Sequence, residues 1–259
     1  MVGRQRVRHV RRPIECYHQP RRESDAREDE ATFDLIVRHG TLVTPFGVVS
    51  ADLAVTDGKI VAIEKNLRPA AEEVDATGLH VLPGLVDPHV HFRDPGLTHK
   101  EDFGSGTLAA AFGGVTTVLD MPNTQPPVAT AEALRAKHKA IAAKAHVDYG
   151  LFGIILQDNE DDLASLAEAG AVGFKLFMGE TTGNNPCPDD GVIFGAFRRA
   201  AELDLVVAVH AENNPILQRL KGELKKAGRT DPRAHLDSRP AFVEAEAIGR
   251  AAMIARGAG

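Results

Sequence analysis

From Val81 onward, five short apolar runs alternate with helix-length segments, and no other feature of the chain restricts its fold as strongly. The runs are Val81–Val86, Val115–Leu119, Val147–Gly153, Ala171–Met178 and Leu205–Val209. Their length and near-continuous apolar character fit strands buried on both faces. The intervening segments are Lys100–Phe112, Ala131–Ala145, Asp161–Ala169, Asp190–Leu203 and Pro215–Lys226, and a last one covers Ala241–Ala255. Thr98 and Glu101 have capping-box spacing ahead of the first helix. Strand–helix alternation of this kind implies parallel strands joined by crossover helices. An open doubly wound sheet and a (β/α)8 TIM barrel both meet that condition. A closed barrel takes eight units and roughly 250 residues. The barrel alternative therefore means an incomplete one, with about five of the eight units visible here.

The chain ahead of Val81 has a different grain. Residues 33–80 carry short alternating runs broken at Gly40, at Pro45-Phe46-Gly47 and at Asp57-Gly58. Asp57-Gly58 between Leu53-Ala54-Val55 and Ile60-Val61-Ala62-Ile63 predicts a tight hairpin. About four strands result, too few to be stable without packing on something else. Residues 1–32 hold seven arginines by position 22, then an acidic run from Glu23 to Glu30. Without an apolar stretch this is not a secretory signal. It is expected to be a disordered or spurious tail. The division is then 1–32, 33–80 and 81–259.

Net charge is -6, which argues against a nucleic-acid partner. No apolar run reaches the ~20 residues of a membrane helix. Cys16 and Cys187 are far apart and form neither a CxxC pair nor a disulfide framework, so a cytoplasmic location is expected.

Four motifs stand at strand ends. Asp87-Pro88-His89-Val90-His91 follows the first apolar run. On extended backbone, side chains two apart share a face, so His89 and His91 can reach one metal ion. Asn123, in Leu119-Asp120-Met121-Pro122-Asn123-Thr124, carries an amide suited to a substrate carboxylate, although alone it reads as a turn residue. Lys175 lies inside the apolar strand Gly173-Phe174-Lys175-Leu176-Phe177. Burial leaves it two routes: pairing or snorkelling as a cation, or reaction with carbon dioxide to an anionic carbamate able to bridge two ions. His210 closes the fifth strand in Val207-Ala208-Val209-His210-Ala211-Glu212-Asn213. The four positions fall at the ends of strands one, two, four and five, the rim where barrel active sites form.

The stretches DPHVHFRDPGLTHKEDF, GGVTTVLDMPNTQPPV, GFKLFMGETTGN and VAVHAENN resemble dihydroorotase of the amidohydrolase superfamily. The resemblance spans roughly Asp34 to Ala255. It implies a small β-sandwich-type unit ahead of the barrel, and two divalent ions, expected to be zinc, although cobalt and manganese accept similar ligands. It implies that His89 and His91 bind the more buried ion, that Lys175 as its carbamate bridges both, and that His210 binds the second. Arg93 and Asn123 would grip a substrate carboxylate. The implied reaction is reversible hydrolysis of L-dihydroorotate to N-carbamoyl-L-aspartate in pyrimidine biosynthesis. Some dihydroorotases use an aspartate near a DDG motif in place of the lysine, so Asp189 or Asp190 could approach a metal. The family's further histidine and its general-base aspartate are expected beyond residue 259, and His235 in its charged surroundings is not taken as the missing ligand. The chain is accordingly expected to be an inactive fragment. Hydantoinases and allantoinases share the HxH pair and the strand lysine. Their sequences are expected to differ at RDPG and MPNT, which favours dihydroorotase. A non-catalytic partner of aspartate carbamoyltransferase, or a homo-oligomer, is also compatible with the resemblance.

Overall fold

The computed structural model describes residues 33–181 and 185–259. The tail expected over 1–32 lies outside the described residues. The chain divides into two compact units, with the boundary between Leu85 and Val86.

The first unit is a mixed sheet of β1 (Phe33–Thr44), β2 (Gly47–Thr56), β3 (Lys59–Glu64), β4 (Ala70–Asp75) and the two-residue β5 (His80–Val81). The order is β3-β2-β1-β4, with β5 also on β1. Asp57 and Gly58 have φ of 51° and 63°, the double left-handed turn that the sequence predicted. The expected break at Gly40 does not end a strand. A bulge between Val37 and Gly40, with His39 at φ 59°, lets β1 pair with β4 along its first half and β5 along its second. Arg38 ties the sheet together by donating to Asp52, Glu73 and the Leu67 carbonyl. Among the described residues this unit is one sheet, and a facing second sheet of a sandwich is not present. Val61, Ile63 and Val74 are correspondingly exposed.

The second unit holds β6 (Leu85–Val90), α1 (Phe103–Phe112), β7 (Val115–Asp120), α2 (Ala131–Ile141), β8 (Asp148–Ile155), α3 (Leu163–Glu168), β9 (Gly173–Phe177), α4 (Asp190–Glu202), β10 (Val206–His210), α5 (Asn214–Lys226), α6 (Pro232–Asp237) and α7 (Ala241–Ala258). The sheet order is β6-β7-β8-β9-β10, and β7 through β10 pair in parallel. Neighbours in space follow the order in sequence, with no reversal. A doubly wound sheet needs such a reversal, and a barrel arc does not. The order therefore fits an incomplete TIM barrel.

Strand alternation separates two faces. Val118, Tyr149, Leu151, Phe174 and Leu176 join Phe103, Leu134, Ile141, Ile193 and Phe197 in the main core. Met121, Phe152 and Val172, with Leu119 and Ala208, form a second, smaller cluster. Lys175 sits between Phe174 and Leu176 and so projects away from the main core. It pairs in register with Ala208, of the smaller cluster.

Two local expectations shift. The strand read at Val81–Val86 runs instead from Leu85 to Val90, because Pro83-Gly84 interrupts the apolar run and Val81 pairs with Leu42 in the first unit. Pro88 is accommodated because β6 is an edge strand. The Thr98–Glu101 box does not form. The α1 helix starts at Phe103, and Asp102 caps it by accepting from the Gly104 and Ser105 N–H groups.

Candidate metal centre

The strand shift puts His89 inside β6 and His91 one residue past its end. Their ring centroids are 5.2 Å apart. Lys175 is 2% exposed. His210 ends β10, on the same parity as Ala208, the register partner of Lys175. Several of these groups also act on one another electrostatically. Burial first, then Lys175 and His210, hold His89 below the ordinary imidazole range, with Asp87 opposing. Burial, then Arg93, His89 and Lys175, take His91 down to about 4, against the upward pull of its bond to Asn123. Both rings are therefore neutral near pH 7, the form in which imidazole binds a metal.

Lys175 has no ion-pair partner among the described residues. Its ammonium lies over the Phe177 ring, 5.1 Å from the centroid. Burial pushes its pKa down. Of the two routes open to it, pairing with an acid is thus not the one taken, and at 2% exposure it does not snorkel. Among the described residues, no three His, Cys, Asp and Glu side chains stand close enough to hold an ion. A lysine enters no such count, and as an ammonium it would repel a cation. The donor set fits a metal if Lys175 becomes an anion.

Each histidine has a fixed orientation. His91 Nδ1 is 2.8 Å from Asn123 Oδ1. As the amide oxygen accepts, Nδ1 carries the proton and Nε2 is left for an ion. Asn123 is 1% exposed, so the structure gives it a place behind His91, a role the sequence reading did not assign. His210 Nε2 is 3.1 Å from Glu212 Oε2, and Arg239 holds the other Glu212 oxygen at 3.2 Å. The nitrogen left to His210 is Nδ1. Gly179 permits this arrangement, because a Cβ there would lie 2.6 Å from that of Glu212.

Arg93 has φ 63°, and its buried Nη1 has no hydrogen-bond partner among the described residues. Asp189 caps α4 through the Val192 N–H and accepts from Gln157, while Asp190 pairs with Arg250. Both aspartates are thereby engaged, Asp189 in helix capping and Asp190 in an ion pair. His235 lies on α6. It lines an open cavity of about 630 Å³ that also takes in His210, Glu212, Lys221 and Arg239. Cys187 is a free, half-buried thiol. Among the described residues no helix is long and apolar enough to cross a membrane.

An arc of parallel strands with an HxH pair, a buried strand lysine and a later histidine at the strand ends defines the class: an α/β barrel arc of amidohydrolase type. The model of the dihydro-orotase-like family matches residues 78–259, and the chain belongs to that family. The allantoinase of Solibacter usitatus (strain Ellin6076) is 44% identical over 228 residues, covering 87% of this chain and 50% of the relative. The allantoinase of Rubrobacter xylanophilus is 46% identical over 232 residues, covering 88% and 51%. Among solved structures, the L-hydantoinase (dihydropyrimidinase) from Arthrobacter aurescens superposes with a TM-score of 0.84 at 38% identity, covering 88% of this chain and 51% of that one. The chain thus spans about half the length of the relatives it matches. These relatives are named for allantoin and hydantoin substrates rather than dihydroorotate, so the expectation of dihydroorotase itself is not supported.

Proposed function

We propose that this chain supplies the HxH, lysine and first-histidine side of the metal centre in a cyclic amidohydrolase of the allantoinase–hydantoinase type. Lys175 carries this reading: a buried strand lysine with no acid beside it among the described residues, coupled electrostatically to two neutral histidines. Loss of its proton leaves a free amine that adds to carbon dioxide. A nitrogen–carbon bond forms, a carboxylate results and one proton passes to water. Burial favours the first step by disfavouring the ammonium.

His89, His91, carboxylated Lys175 and His210 would hold two divalent ions, with zinc expected, which when bound supply Lewis acidity toward a ring amide and an activated water. The chain's own residues do the positioning. Asn123 fixes the His91 tautomer, and Glu212, braced by Arg239, fixes His210. Arg93 Nη1 supplies a buried donor for a substrate acceptor. A hydantoin carbonyl or ureido oxygen suits it as well as a carboxylate does, so Arg93 does not itself select dihydroorotate.

The similarity to allantoinases at 44% and 46% identity favours allantoin or a 5-substituted hydantoin as substrate. An enzyme containing this chain, reconstituted with zinc, is expected to open allantoin or a hydantoin with kcat/KM at least tenfold above that for dihydroorotate. Preference for dihydroorotate would restore the dihydroorotase reading. For the lysine, zinc uptake by the wild-type chain is expected to fall when bicarbonate and carbon dioxide are removed, while Lys175→Ala takes up little zinc in either condition. Uptake by wild type that ignores carbon dioxide would eliminate the carbamate.

A further inference from the structure

Asp120 and Lys137 form a buried ion pair outside the set of proposed ligands. Asp120 ends β7 and is 0% exposed, and Lys137 reaches in from α2 and is 1% exposed. An apolar pair of similar volume could fill the same space without desolvating two charges. What the charges touch explains their presence. Asp120 Oδ1 accepts the Phe92 N–H at 2.9 Å, the peptide that joins His91 to Phe92. Its other oxygen takes the Lys137 ammonium, which also donates to the Met121 carbonyl at 3.1 Å. Met121 in turn donates its N–H to Val90, and Asn123, two residues on, meets the His91 ring. The His91–Asn123 bond is therefore bracketed: Asp120 holds the backbone after His91, Met121 holds the backbone before it, and Lys137 clamps both supports.

We propose that the Asp120–Lys137 pair is a positioning element for the metal centre, locking the ends of β6 and β7 so that the His91 ring faces the ion. This rests on the metal-site reading above. Asp120 acts through the acceptor it offers Phe92, and Lys137 acts by filling the space beside that acceptor and keeping it in place.

The test is zinc affinity of the full chain, measured by competition with a chromophoric chelator, with folding followed by circular dichroism. Asp120→Leu/Lys137→Met removes both charges and the acceptor. It is expected to fold and to bind zinc about 10–100-fold more weakly, the usual loss when support behind a ligand is removed. Asp120→Asn/Lys137→Met removes both charges but keeps an Oδ1 acceptor for Phe92, and is expected to stay within about threefold of wild type, well short of that loss. A purely structural pair would leave affinity unchanged in any folded variant, so wild-type affinity in the apolar double overturns the proposal. Should that variant not fold, the polar double decides alone, and a loss of tenfold or more there overturns the acceptor role. His91→Ala separates the two levels. If it binds zinc as wild type does, the metal site itself is wrong. If it loses zinc while the apolar double does not, only the positioning role fails.

Discussion

Lys137→Met is expected to lower the unfolding free energy of the chain by about 3–5 kcal/mol, the range for breaking a buried ion pair by removing one partner. Asp120 at 0% exposure cannot turn to water, so the variant must bury an uncompensated carboxylate or protonate it. In the native pair, burial pushes the Asp120 pKa up, while Lys137 and the Phe92 N–H pull it down. Without Lys137 the upward push dominates further. A carboxyl whose folded pKa lies above its unfolded value contributes stability that is complete below the unfolded pKa and is lost as pH rises through the folded value. The deficit of Lys137→Met against wild type should therefore be smallest in acid and grow toward neutral pH. Urea titrations followed by circular dichroism at several pH values check both the size and the sign. A deficit under ~1 kcal/mol at pH 7 would be typical of an exposed pair and would mean that the carboxylate finds another partner.

That pair also marks the limit of what was legible in the sequence. The arc was readable because each strand had to be apolar on both faces, and the candidate ligands because polar residues recur where those strands end. Lys175 stood out as a cation inside an apolar run. Lys137 did not, because it lies on a helix among Arg135 and Lys139 and looks like one more solvated charge. Only the fold turns it inward. Glu212 and Arg239 escaped for a related reason, since they are separated in sequence and become neighbours only when α6 folds back past β10. The dihydroorotase expectation leaned on RDPG and MPNT, with Arg93 and Asn123 as a carboxylate grip. In the structure much of their content is scaffolding: Asp94 accepts from Lys144 and from the Phe103 N–H, Asn123 serves His91, and Gln125 donates to the Pro95 carbonyl. Motifs that join two loops beneath a shared metal site can persist across enzymes that open different rings.

The tightest point of that scaffold is Gly96, and Gly96→Ala is expected to cost about 2–5 kcal/mol. Two penalties add. At φ +91° a Cβ strains the backbone, by roughly 1–2 kcal/mol for a left-handed residue. A Cβ there would also lie 2.3 Å from the Gln125 carbonyl oxygen and 2.5 Å from its Cβ. The first of these contacts is backbone, so no rotamer change relieves it and the two loops must part, at the ~1–3 kcal/mol typical of overpacking. Gly114→Ala isolates the first penalty, since Gly114 has φ +81° and nothing within 4 Å of an added Cβ. It should lose only the backbone share. The separation of the loops should also reach the candidate metal centre, because Gln125 is two residues from Asn123 and the Gln125–Pro95 bond is one of the ties between that strand end and the His91 segment. Zinc affinity is therefore expected to fall in Gly96→Ala and to stay at the wild-type level in Gly114→Ala. Equal losses of stability in the two variants, with zinc binding untouched in both, would mean that the loops are not the rigid floor of the site.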